Sequence, residues 1–96
     1  MAEYRLSPAA QRDLNGIFDY TATSWSLEQA VQYTGIIRAA CTRLAATPLS
    51  GVQCETLRRG YRFFAVGQHR IYFKPTPYGI AVIRILHQRM DVLRHL

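Results

Sequence analysis

The chain's 96 residues suffice for one hydrophobic core and leave no room for a second domain, so residues 1–96 are read as a single domain. A hydrophobic fraction of 49% excludes a disordered chain, and without a membrane-length apolar run or a signal-peptide pattern the expectation is a cytoplasmic protein with no membrane partner. The net charge is +6, and all but Lys74 of the 12 basic residues are arginine, whose fork grips carboxylates and phosphates. A surface for nucleic acid or for an acidic protein partner is the functional reading and a solvated basic surface the plain one. Cys41 and Cys54 lack any CxxC or His spacing and read as free thiols, with a disulfide as the alternative.

Along the chain, Tyr4-Arg5-Leu6 reads as a short strand, and Ser7-Pro8 as a helix start with a capping hydroxyl and proline at the first helical position. Ala10, Leu14, Ile17, Phe18 and Thr21 form one face of that helix, which stops near Ser24. Ser26 caps a second helix whose apolar face runs from Leu27 and Ala30 to Leu44 and Ala45, ending at Thr47-Pro48. So short a connection makes an antiparallel helical hairpin, and Gly16 and Gly35 suggest close helix contact. Leu49 to Gly60 reads as a loop.

Three strands follow. Tyr61 to Val66 turns back through Gly67-Gln68, a two-residue loop with Gly first as a type II′ turn requires. His69 to Lys74 is ended by Pro75 and Pro77, and Gly79 leads into the β-branched run Ile80 to His87. The order β-α-α-β-β-β predicts an α+β fold, a helical hairpin packed on one face of a mainly antiparallel four-stranded sheet. Alternation places Ala81, Ile83 and Ile85 against the helices. It leaves Arg62, Arg70, Tyr72 and Lys74 on a concave basic-aromatic surface.

No glycine-rich phosphate loop, zinc spacing or nucleophile elbow occurs, so no cofactor, metal or catalytic set is expected. Asp13 and Asp19 read as solvated charges on the first helix, and His69, after a turn, as exposed. His87 is either a general acid–base or a structural histidine that hydrogen-bonds the strand end with Asp91. Arg84, Arg89 and Asp91 either pin the C-terminal tail as an ion-pair network or bind a partner.

The opening from Tyr4-Arg5-Leu6-Ser7-Pro8 through Asp13-Leu14 and Ile17-Phe18-Asp19-Tyr20 resembles the start of ParE toxins. Trp25, Gln29-Ala30 and Tyr33, then Gly60-Tyr61-Arg62 and Val66-Gly67, continue the likeness, and Val82-Ile83-Arg84-Ile85-Leu86-His87-Gln88-Arg89-Met90-Asp91 is its most specific part. The resemblance implies a toxin of a type II toxin-antitoxin system, in the superfamily shared with RelE ribonucleases. Such a toxin inhibits DNA gyrase and blocks replication, is neutralised by a ParD-like antitoxin, and is not an enzyme. It would touch nucleic acid only indirectly, through the antitoxin or gyrase complex. On this reading Arg84, His87, Arg89 and Asp91 are the candidates for toxicity and target contact. Leu14, Phe18, Trp25, Val31, Arg62, Arg70 and Tyr72 are the candidates for antitoxin binding. The alternative is a RelE-like ribosome-dependent mRNA endonuclease, with Arg62, Arg70 and Arg84 as cations and His87 as base. Lys74-Pro75-Thr76-Pro77 departs from the family pattern in a way that shortens its strand or changes its turn.

Overall fold

A computed structural model describes residues 2–96. Strand β1 (Glu3–Leu6) leads into α1 (Pro8–Ser24) and α2 (Leu27–Ala46), then β2 (Val52–Gln53), β3 (Arg62–Val66), β4 (His69–Thr76), β5 (Gly79–His87) and a 3-10 turn (Val92–Arg94). The sheet order is β1-β5-β4-β3-β2, parallel only between β1 and β5. This is the α+β arrangement expected, extended at one edge by the two-residue β2 inside the segment read as loop. Both helix starts follow the capping logic: Ser7 accepts from the Ala10 N–H with Pro8 at the first position, and Ser26 accepts from the Gln29 N–H.

The apolar faces of the two helices meet Ile71, Phe73, Ile80, Val82 and Ile85 in the main core. Burying each side chain of that size contributes roughly 1.5–3 kcal/mol. Gly16 and Gly35 face open space, so neither marks a close helix contact. The Gly67–Gln68 loop is type II′: Gly67 has φ 55° and, among the described residues, no non-glycine residue has positive φ. Gly79, with φ 139°, sits where a Cβ would run into the Glu3 carbonyl, so only glycine lets β1 lie against β5.

Three sequence expectations change. Strand β4 continues through Pro75 to Thr76, paired with β5. Strand β3 begins at Arg62, opposite Phe73, so Pro75 has no strand on its other side and its missing N–H breaks no ladder bond. In β5, Tyr72 pairs Arg84 but Phe73 pairs Val82, leaving Ile83 as the extra residue of a β-bulge. The bulge shifts the alternation, so that Ile80, Val82 and Ile85 face the helices and Ala81 and Ile83 do not join them in the core. Arg62 lies opposite Phe73 and Arg70 opposite Ala65, which have different parity along β3, so Arg62 and Arg70 are on opposite faces.

The far face is covered rather than open. Cys54, Tyr72 and Leu86 form a second cluster with Leu57, Tyr61, Phe63, Val92 and Leu96, so the C-terminal tail and the β2–β3 segment pack over it. Both cysteines are free thiols. Burial pushes the Cys41 thiol up to about 11 and raises that of Cys54, which keeps both protonated at neutral pH.

Candidate functional site

Where the tip of the helical hairpin meets the β3–β4 turn and the end of β5, a groove of about 610 Å³ opens. Tyr20, Trp25 and Ile36 form its apolar side, and Tyr33, Gln68, His69 and His87 its polar side. The Pro77–Tyr78 turn between β4 and β5 and the bulge together set the register that places His69 directly across from His87. Their rings meet edge to face, with centroids 5.3 Å apart.

Each imidazole is oriented by a neighbour. The Arg89 N–H donates to His87 Nδ1 at 3.1 Å, which puts the ring proton on Nε2, 3.2 Å from the Gln68 Oε1 that accepts it. Asp91 does not contact His87; its carboxylate caps the terminal turn by accepting from the Leu93 N–H. The Tyr33 hydroxyl stands 2.7 Å from His69 Nδ1 and 3.2 Å from the Val66 carbonyl, and accepts from the Gln68 N–H at 3.3 Å. Its one proton therefore serves either His69 or Val66, according to the tautomer of His69. Tyr33 also fills the space over Gly67: an added Cβ there would lie 2.7 Å from its hydroxyl.

His69 is half-buried, not exposed as expected from its place after the turn. Burial lowers its pKa, the nearby His87 lowers it further, and Asp13 raises it by less. The folded state thus holds His69 neutral below its ordinary value of 6.5, while the unfolded chain takes up the proton. Stability is therefore complete above that value and falls as pH drops from there through the folded pKa. Melting curves between pH 7 and pH 5 are expected to show that fall, with a shallower slope for His69→Gln. An unchanged slope in the variant would assign the acid sensitivity to other groups.

Behind the groove, Arg84 is fully engaged. Its Nε and Nη2 donate to the two Asp13 carboxylate oxygens at 2.7 and 2.8 Å, and Nη1 donates to the His95 carbonyl at 2.9 Å. Asp13 also accepts the Ile85 N–H at 2.9 Å, at the stretch of β5 that β1 no longer covers. Asp13 is thus a clamp between α1 and the sheet edge, not a solvated charge, because it answers both an arginine and an unpaired strand N–H. The hydrogen bonds it donates to Asp13 raise the Arg84 pKa. No network joins Arg84 to Arg89 and Asp91: Asp91 pairs with Arg94 at 3.7 Å, and Arg89 is exposed.

The remaining sequence candidates scatter. Leu14 lies in the main core and Tyr72 in the second cluster, so neither offers surface, and Phe18 is half-buried. Trp25 and Val31 are exposed, at 72% and 59%. Arg62 donates to the Leu49 carbonyl at 2.7 Å, and Arg70 lies over the Phe63 ring at 4.5 Å. Sequence reasoning did not single out Tyr20, Ile36, Gln68 or His69 as a site, nor Asp13 as a clamp. Leu27 and Val31, which belong by spacing to the apolar face of α2, are exposed, and the histidine pair depends on the bulge.

The chain matches the family described as "ParE toxin of type II toxin-antitoxin system, parDE" over residues 4–92. It is 45% identical to Toxin ParE1 of Mycobacterium tuberculosis over 96 residues, covering 99% of this chain and 98% of the relative. It is 38% identical to Toxin ParE1 of Caulobacter vibrioides, covering 100% of this chain and 99% of that one, and 31% identical to Toxin ParE of Escherichia coli, covering 100% and 94%. Among solved structures, a chain of "Chromosomal ParDE TA system from P. aeruginosa" superposes with a TM-score of 0.77 at 21% identity, covering 91% of this chain and 96% of that one, a likeness of fold. A match across nearly the whole length, carried by the same elements that build the groove and its clamp, makes this chain a member of the ParE toxin family of type II toxin-antitoxin systems.

Proposed function

We propose that this toxin acts in the cytoplasm by binding: it inhibits DNA gyrase, so blocking replication, and a ParD-like antitoxin neutralises it. The observation that carries the reading is the apolar surface left uncovered at the hairpin: Tyr20, Trp25 and Ile36 line the groove and are more than half exposed, and Leu27 and Val31 are equally exposed on another face of α2. A lone domain that shows so much apolar surface is suited to a protein partner. The antitoxin seats on the hairpin, with Trp25 and Val31 as anchors and Phe18 at the margin, while Arg62 and Arg70 supply charge from the sheet. His87, Arg89 and Asp91, at the end of β5, are the residues proposed to meet the target. Arg84 supports them by holding that end of the strand to α1.

The cations that a RelE-like ribonuclease would require do not converge. Arg62 and Arg70 occupy opposite faces, and Arg84 is spent on Asp13 and the His95 carbonyl. The purified toxin is expected to reduce gyrase supercoiling and accumulate cleaved DNA, with a ParD-like partner restoring activity in proportion to its dose. Undiminished supercoiling at saturating toxin would reject gyrase as the target. In a translating extract, intact mRNA is expected at the same dose.

A further inference from the structure

On the side away from the aromatic groove, a second concavity of about 340 Å³ opens at the start of β3. Arg59, Arg62 and Lys74 reach it from the β2–β3 segment, from β3 and from β4, with Glu55 as the one carboxylate in its wall. Three cations against one acid leave it at +2, a density that the clamp region does not show because Arg84 is answered there by Asp13. Among the described residues, no carboxylate lies within 4.0 Å of Arg59, Arg62 or Lys74. Arg62 is fixed by its Nη1 bond to the Leu49 carbonyl at 2.7 Å, leaving its other N–H groups free.

The shape of the site selects among anions. Lys74 and Pro75 belong to the part of β4 with no strand on its outer side, which would otherwise be a place for an extended peptide to add. Pro75 removes the N–H that such a strand would need. The wall offers instead the bare backbone of Gly60, whose φ of 82° and open surroundings let a phosphate approach closely, beside Tyr61, which is half-buried against the second cluster. A sugar-phosphate chain, which needs cations and close backbone approach but no strand ladder, fits these features.

We propose that this groove binds the backbone phosphates of nucleic acid, so that the toxin contacts DNA directly. The inference does not rest on the gyrase reading, since it concerns the chain alone. The test is fluorescence anisotropy of the folded toxin with a labelled single strand of about 20 nucleotides and with its duplex, across a salt series. The affinity is expected to fall with salt, and the Arg59→Ala/Lys74→Ala variant to bind about tenfold more weakly at low salt with a slope reduced by about 1.5. An Arg12→Ala/Arg38→Ala variant, which removes the same charge from exposed helix positions, is expected to keep the slope of the parent. Equal slopes for parent and groove variant would overturn the proposal. Displacement of DNA by free nucleotide or inorganic pyrophosphate at equal phosphate concentration would overturn the nucleic-acid assignment. So would a polyglutamate peptide that binds as tightly as DNA and suffers the same loss in the groove variant.

Discussion

Arg84→Ala is expected to cost about 3 kcal/mol of stability, because it leaves Asp13 as a largely buried carboxylate without its arginine. The side chains are only 21% and 14% exposed, and the arginine makes a two-pronged bond to the acid as well as a bond to the tail. For a chain of this size the melting temperature should drop by roughly 12–20 °C. Asp13→Ala should do comparable damage, since it also strands the Ile85 N–H at the sheet edge. The two losses will not add: a double-mutant cycle is expected to show coupling of about 1.5–3 kcal/mol. A melting temperature for Arg84→Ala within about 2 °C of the parent would refute the clamp. The consequence for function is direct. An Arg84 variant that loses toxicity has lost the seating of the β5 end on α1, and an Asp91 variant also uncaps the terminal turn, so the exposed Arg89 side chain is the position that reports contact with a target without a change of fold.

The clamp shows where sequence reading reaches its limit. Both helices, their caps, the hairpin between them and the type II′ turn were legible, because each depends on residues close in the chain: Ser7 with Pro8, Ser26 with Gln29, Gly67 with Gln68. Facing across the sheet was not. Counting back from the Thr76–Gly79 turn without a bulge puts His69 opposite Leu86, and only the extra residue Ile83 brings it opposite His87. The partners of the bulge are non-local: Ser7, while capping α1, donates its hydroxyl to the Ile83 carbonyl at 2.7 Å and its N–H to the Val82 carbonyl at 2.9 Å. Asp13 likewise carries no local mark that separates it from Asp19, one a clamp and the other an exposed charge. Pro75 looked like a strand end because its missing donor matters only if a strand lies beside it, and none does.

Trp25→Ala is the substitution that most directly tests the antitoxin seat. Trp25 is the C-cap of α1, its N–H is bonded to the Thr21 carbonyl, and its side chain is 72% exposed at the hairpin tip. Truncation removes nothing from either core cluster, so stability should change by no more than about 0.5 kcal/mol. Binding is another matter. A large aromatic side chain beside a groove of about 610 Å³ is the kind of residue that becomes fully buried when a partner segment closes over it. Loss of that anchor should weaken a ParD-like antitoxin by about 2–4 kcal/mol, or roughly 30- to 1,000-fold, mostly through faster dissociation. Val31→Ala, a smaller side chain on the outer face of α2, should cost less than about 1 kcal/mol by the same measure. Titration calorimetry of both variants against the same partner separates the cases. Trp25→Ala binding within about threefold of the parent would move the antitoxin off the hairpin tip and on to the sheet edge. A large loss for Trp25 with little for Val31 would place the centre of the interface over the groove, where the partner would also cover His69 and His87.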